Sequence, residues 1–354
     1  MYKSKLIGVS TVGGNANLDW CTINARKMLH MCEFDGSHNV YPGANRPLVR
    51  QRMFAKEVHG ETGLDGTTTL DKIHLPEQDP AIAKHGSAIS AMYKGIMATP
   101  KGTCWLLCTG PLTNAALLLS AHGDEICEHL KGLCFMGGAI ALGNNNSSTE
   151  FNIAADPDAA KIVIETWGPQ LKELVMVPLD VTMVALTNPM VRQRIEAIGS
   201  TLSKTITELI KHLCDRYVDT EELQAFGDMF KGQCEVHDAC AVLYIWRPEL
   251  FDARRMRVDV ETASSFCYGT TCCDIYGRSN REVNVMVCEK TNVPEFWENV
   301  IEAIQQRSDV AQKKQGNPKS VKFDKKSTTV KKVAKKVIRK SPSPRSSTRS
   351  LTTK

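Results

Sequence analysis

Short apolar runs that break off at glycine or proline, each followed by a stretch of helical spacing, set the pattern of residues 6–306. Leu6–Val12 is apolar and β-branched and stops at Gly13-Gly14-Asn15, so it reads as a strand. Asp19 to Cys32 has helical spacing. Asn39–Tyr41 is a short strand closed by Pro42-Gly43, and residues 50–78 are polar, glycine-rich and irregular. Pro80–Ala98 predicts a helix, and Thr103–Cys108 a buried strand with Pro111 where the next helix begins. Leu133–Met136 and Leu174–Val177 are further strands, the first stopped by Gly137-Gly138. Asp156-Pro157 sets an N-cap before a proline at the first helical position, and that helix runs to Trp167. Residues 188–219 predict one or two helices and Val236–Trp246 another. Arg257–Glu261 and Val283–Cys288 are late strands, and Pro294–Gln306 is a closing helix. Strands alternating with helices predict an α/β fold, a mostly parallel sheet flanked by helices.

The 354 residues leave room for one large domain or two small ones. The net charge of +5 conceals two halves. Lys313–Lys354 carries fifteen Lys and Arg against the single acid Asp324, so residues 1–312 are net negative. From Val310 onward the composition shifts to Lys, Ser, Thr and Pro, which predicts a domain at 1–309 and a basic, disordered tail at 310–354. Val330, Val333, Ala334, Val337 and Ile338 share one helical face in that tail, which suits an anionic membrane or nucleic acid, although plain disorder reads the same. Phosphates on Ser341-Pro342-Ser343-Pro344 would cut its charge. No apolar run reaches the roughly 18–20 residues that cross a bilayer, and Leu6–Val12 is short for a signal-peptide core. The thirteen cysteines are scattered without a CxxC pair, which predicts free thiols in a reducing compartment rather than a zinc knuckle. These features predict a cytoplasmic protein, with the tail allowing a nuclear one.

In parallel sheets, ligands bind beyond the carboxyl ends of the strands. Asn15, Thr109, Met136 and Asp180 each follow an apolar strand. Gly143-Asn144, Glu150-Phe151-Asn152 and Asp156-Pro157 crowd polar groups between a strand and a helix. Asn donates and accepts while Glu only accepts, a set that suits sugar hydroxyls or, equally, a loop capping the next helix. His237-Asp238 opens an apolar helix, where Asp favours the dipole and His exchanges protons near neutral pH. Thr109-Gly110-Pro111 could turn a carbonyl toward a hard cation or simply start a helix. Val58–Gly66 interleaves glycine, histidine and acids, as a loop over a site or an ordinary solvated loop does. Trp20, Tyr217 and Phe226 are aromatic groups able to stack on a planar ring.

Gly14-Asn15, His59-Gly60-Glu61-Thr62-Gly63, Gly110–Asn114, Met136-Gly137-Gly138, Glu150-Phe151-Asn152, Leu179–Thr182 and His237-Asp238 follow one another in that order. The ordered set, covering residues 6–306, resembles the inosine-uridine preferring nucleoside hydrolase family. The resemblance implies hydrolysis of the N-glycosidic bond of ribonucleosides to free base and ribose, a salvage reaction of purines and pyrimidines. It implies a homo-oligomer and a calcium ion at the strand ends. It matches Asn15, Asn144, Glu150 and Asn152 to ribose-binding positions, and His59, Met136 and Phe151 to the pocket lining. Asp238 and the Thr109 carbonyl match metal ligands, and His237 matches the group thought to protonate the leaving base.

The chain departs from that family at its start. Its members open with a strand ending in Asp-x-Asp-Pro-Gly-x-Asp-Asp and a helix, which supply the water-activating base and most metal ligands. No such run occurs here, and Asp65, Asp71 and Asp79 have other spacing. The first strand and helix are therefore expected to be missing from this sequence, through an incomplete or alternative start. If the chain does begin at Met1, the expectation becomes a catalytically inactive nucleoside-binding or scaffold protein, with its tail docked on anionic partners, or else an active enzyme that uses another base.

Overall fold

The computed structural model describes residues 4–32, 40–75, 87–216 and 232–315. The chain divides between Gln312 and Lys313, and the fold described below lies in the first unit. Tyr217, Phe226 and the amphipathic stretch at Val330–Ile338 lie outside the described residues.

Five strands make the central sheet: β3 (Trp105–Cys108), β4 (Gly132–Met136), β5 (Leu174–Val177), β9 (Val285–Thr291) and β6 (Phe251–Met256), side by side in that order. The first four run parallel, with Leu133 opposite Leu174 and Val175 opposite Met286. Only β6 is antiparallel, along β9. The strands have apolar residues at nearly every position because both faces are covered. Leu133, Phe135, Leu174, Met176, Val285 and Val287 pack into one core, with Leu118, Leu119 and Ile126 of α4 (Thr113–His129). Cys134, Met136, Val175, Val177 and Cys288 face the other core. There they meet Cys240 and Leu243 of α10 (His237–Trp246) and Phe296 and Trp297 of α11 (Val293–Gln315). One residue's step along a strand thus chooses the layer it stabilises.

A second, two-stranded parallel sheet joins β1 (Val9–Thr11) to β2 (Val40–Pro42). Among the described residues β3 pairs only with β4. Its four residues are all half-buried, whereas β4 and β5 are buried throughout. Asn114 ties the two sheets together: its Nδ2 donates to the Thr11 carbonyl at 2.9 Å, and its Oδ1 accepts from the Ala44 amide at 2.8 Å.

The predicted elements are present, with instructive differences. Helix α1 (Leu18–Met31) starts at Asn17, whose side chain accepts from the Trp20 amide. The described end of Pro80–Ala98 is α3 (Ala88–Met97), capped by Ser87. The predicted helix to Trp167 is α6 (Pro157–Lys161) followed by a π-helical turn, Ile162–Trp167. Residues 188–219 form two helices, α8 (Pro189–Ala197) and α9 (Thr201–Arg216). The first strand is shorter than Leu6–Val12, its ladder with β2 running from Val9 to Thr11. Two strands escape the apolar pattern: β6, whose Asp252, Arg254 and Arg255 face solvent, and β8 (Thr271–Cys273), a short partner of β7 (Val258–Val260).

Candidate active site

The expected site residues gather where β4 and β5 end. Gly138 turns the chain there with φ +73°, and a Cβ on it would sit 2.9 Å from Thr271 Cγ2 and 3.0 Å from Met176 Sδ. Only glycine fits both the turn and the approach. The turn aims the Gly138 N–H at Glu150 Oε2, 2.9 Å away.

Glu150 is buried and is the N-cap of α5 (Phe151–Ala155). It also accepts from the Asn152 amide at 2.8 Å and the Ile153 amide at 3.1 Å. The capping alternative is thus real for this residue. A carboxylate offers about four lone-pair positions, so three backbone bonds leave about one for a ligand. Burial pushes the Glu150 carboxyl up to about 7 against the pull of its three backbone N–H bonds, and the Asp238 charge adds to the rise. Asn152 Nδ2 donates to the Met136 carbonyl at 3.2 Å and lies 3.4 Å from its sulfur. Asn144 is exposed and steadies the loop by accepting from the Phe151 amide at 2.9 Å.

Helix α7 (Leu179–Thr182) follows β5 directly. Asp180 accepts from the Ile140 and Ala141 amides at 2.7 and 3.0 Å, so it fastens the loop after β4 to the end of β5. Thr182 Oγ1 lies 2.7 Å from His237 Nδ1. His237 opens α10. Burial holds its ring down to about 4, with the His59 charge acting in the same direction. The surrounding protein pushes the Asp238 carboxyl up to about 7, although part of the residue's surface is open to solvent. It does not cap α10; Val236 is the N-cap, without a side-chain bond.

The structure therefore brings Glu150, Asn152, Met136, Phe151, Asn144, His237 and Asp238 to one end of the sheet. His59 is close enough for its charge to reach His237. It ends α2 (Lys56–His59), and the following loop is fastened by Asp65, which accepts from the Glu61 and Thr62 amides. Thr68 and Thr69 farther along that segment donate to Glu208 of α9. Asn15 is half-buried and Thr109 exposed at the ends of β1 and β3. Among the described residues no hydrogen bond joins either to the Glu150 group. Trp20 is exposed on α1. The sequence marks Asp180 as a strand-end residue but gives no sign of the part played by Thr182, although both stand in the quoted Leu179–Thr182 motif. It did not single out Thr271, whose hydroxyl bridges the amide and carbonyl of Ala139 at 2.8 and 2.7 Å.

A separate recess of about 260 Å³ lies along β6 and contains none of these residues. Its arginines are engaged: Arg254 with Glu289, and Arg257 and Arg281 with Asp259.

The calcium ion implied by the resemblance does not fit the described residues. Calcium takes six to eight oxygens. Asp238 and the Thr109 carbonyl are two of its expected ligands, and Glu150 is committed to backbone amides. Among the described residues no three His, Cys, Asp or Glu side chains come together as a metal site.

A covered, mostly parallel sheet with carboxylates, an amide and an imidazole at its carboxyl edge defines an α/β protein with a polar site at its strand ends. The chain belongs to the inosine-uridine preferring nucleoside hydrolase family, whose sequence profile matches residues 2–298. It is 35% identical over 301 residues to an uncharacterised protein of Schizosaccharomyces pombe, covering 85% of this chain and 86% of that one. It is 35% identical over 308 residues to a probable ribonucleoside hydrolase of Dictyostelium discoideum, covering 84% and 86%. A non-specific ribonucleoside hydrolase of Salmonella enteritidis is 34% identical over 294 residues, covering 83% and 87%. In fold, the chain is similar to a purine-preferring ribonucleoside hydrolase from Gardnerella vaginalis, with a TM-score of 0.72 at 22% identity, covering 86% and 92%. No helix among the described residues is long and apolar enough to cross a membrane.

Proposed function

We propose that this protein binds ribonucleosides at the carboxyl ends of β4 and β5 and hydrolyses their N-glycosidic bond to base and ribose. The observation that carries this reading is the convergence of Glu150, Asn152, His237 and Asp238 at one sheet end, in a chain of this family.

Each residue has a physical role in it. Asn15, Asn144, Glu150 and Asn152 hold ribose hydroxyls through amides and a carboxylate. Cleavage builds positive charge on the ribose, and the Glu150 and Asp238 carboxylates offset that charge. Met136, Phe151 and His59 line the pocket, and His237 faces the leaving base. Asp238 and the Thr109 carbonyl stand as metal ligands only by resemblance, so no step of the mechanism is assigned to calcium. The roles of a homo-oligomer, of a cytoplasmic or nuclear setting, and of the basic tail against anionic partners belong to the same reading.

Product analysis tests it. The full chain, incubated with inosine or uridine, is expected to release ribose and base in equal amounts. Ribose at the level of the protein-free blank with both substrates would overturn the reading.

A further inference from the structure

We propose that Thr182 is a positioning residue that fixes His237 in its Nδ1–H tautomer, so that the ring meets a ligand as a hydrogen-bond acceptor at Nε2. The tautomer stands on the geometry alone; its meaning for a nucleoside rests on the functional reading above.

The Thr182 hydroxyl is wholly buried and has two polar neighbours. The Leu179 carbonyl lies 3.2 Å from Oγ1, and His237 Nδ1 lies 2.7 Å from it. A hydroxyl has one proton to give and two lone pairs. If that proton goes to Leu179, the lone pairs accept a proton held by Nδ1. Every contact is then a hydrogen bond, in a chain running from Nδ1–H to Oγ1–H to the carbonyl. If the hydroxyl donates to Nδ1 instead, two oxygens face each other at 3.2 Å with no proton between them. The Leu179 carbonyl has capacity for the first arrangement: it already accepts from the Met183 amide at 2.9 Å and keeps a second lone pair. Chains of this kind strengthen one another inside a protein. The first arrangement is therefore the one the structure assigns.

The neutral ring has a single proton, and this arrangement places it on Nδ1. Nε2 is left with its lone pair. In that neutral form Nε2 takes a hydrogen bond from a ligand hydroxyl or N–H, and once protonated the same orientation presents Nε2–H as a donor. The Leu179–Thr182 helix thereby gains a function: it ends β5 and presents the hydroxyl that orients the ring at the start of α10.

The test is nitrogen NMR of the full chain labelled with ¹⁵N-histidine, near pH 8, above the ordinary histidine range of about 6.5. The chain has nine histidines, so His237 is assigned by the signals lost in His237→Asn. The wild type is expected to show Nδ1 at the protonated, pyrrole-type position and Nε2 at the bare, pyridine-type position. Thr182→Ser keeps the hydroxyl and should keep this pattern. Thr182→Val removes it and should move the proton toward Nε2, with Thr182→Ala serving where the valine variant does not fold. A pyrrole-type Nε2 in the wild type overturns the assignment, as does an unchanged pattern without the hydroxyl. Catalytic activity does not enter this readout, so an enzyme that releases no ribose leaves the tautomer result intact.

Discussion

The ends of β4 and β5 and the ends of β1 and β3 contribute to the same expected site, but they are built differently. At β4 and β5, four polar side chains have work inside the protein. Glu150 holds three amides, Asp180 two, and Asn152 and Thr182 each hold a carbonyl. At β1 and β3, Asn15 and Thr109 have no side-chain bond to that group, and β3 is half-exposed along its length. One side of the site is held by bonds from its own side chains, and Asn15 and Thr109 on the other side stand apart from them. The difference teaches that a residue matched to a family position is not thereby a residue held in a family geometry.

The largest expected effect follows from removing the acceptor at the built side. Glu150→Ala would leave three buried amides without their partner, at a cost of about 3 kcal/mol in unfolding free energy. Denaturant unfolding measures it. A loss below about 0.5 kcal/mol would mean that the β4 end is no more fixed than the β1 end.

A smaller effect concerns pH. The Glu150 carboxyl sits at about 7 in the folded chain, above the ordinary 4.3 of an unfolded one. Its folded-state pKa is raised, so its stabilising contribution is full below about pH 4 and is lost as pH rises through 7. His237 has the opposite sign, its stability contribution growing between about pH 4 and 6.5 and levelling above that. Asp238, also raised by burial, acts in the same direction as Glu150, and Cys214, held below its usual range by hydrogen bonds with Cys234 and Thr187, acts in the opposite one. The Glu150 part is therefore the difference between wild type and Glu150→Gln, and between about pH 6.5 and 8 the wild type should lose about 1 kcal/mol more unfolding free energy than the variant. Equal slopes for the two proteins across that window would contradict a buried, proton-retaining Glu150 carboxyl.

Calcium sharpens the contrast from the open side. Since the described residues supply too few oxygens, calcium at about 1 mM should leave the melting temperature of this chain unchanged. A clear upward shift would show that a full coordination shell forms after all. The smallest expected effect is that of Asn15→Ala, which should change stability by less than about 0.5 kcal/mol and act instead on nucleoside affinity, as titration calorimetry would show.

Much of this was legible in the sequence because it depends on local pattern. Leu174–Val177 and Leu133–Met136 are continuous apolar runs, and only a strand covered on both faces needs one. Asp156-Pro157 declared a helix start through its own chemistry. Strand β6 was hidden because its solvent-facing Asp252, Arg254 and Arg255 break the apolar run. The candidate site was legible as residue types at strand ends. Its bonding was not, because Glu150 meets Gly138, Asp180 meets Ile140, and Thr182 meets His237 only once the sheet has formed. Capping and ligand binding also read alike for Glu150, and the structure shows that the first is already in use.

The most direct test of the central claim compares ribose release by two full-chain variants, Asn152→Ala at the strand ends and Arg281→Ala in the recess beside β6, each checked for an unchanged melting temperature. The strand-end site predicts that Asn152→Ala loses at least about tenfold in kcat/KM, the effect of one ligand hydrogen bond of about 1.4 kcal/mol, while Arg281→Ala keeps the wild-type rate. Full activity in Asn152→Ala together with a loss in Arg281→Ala would place the chemistry elsewhere and contradict the account.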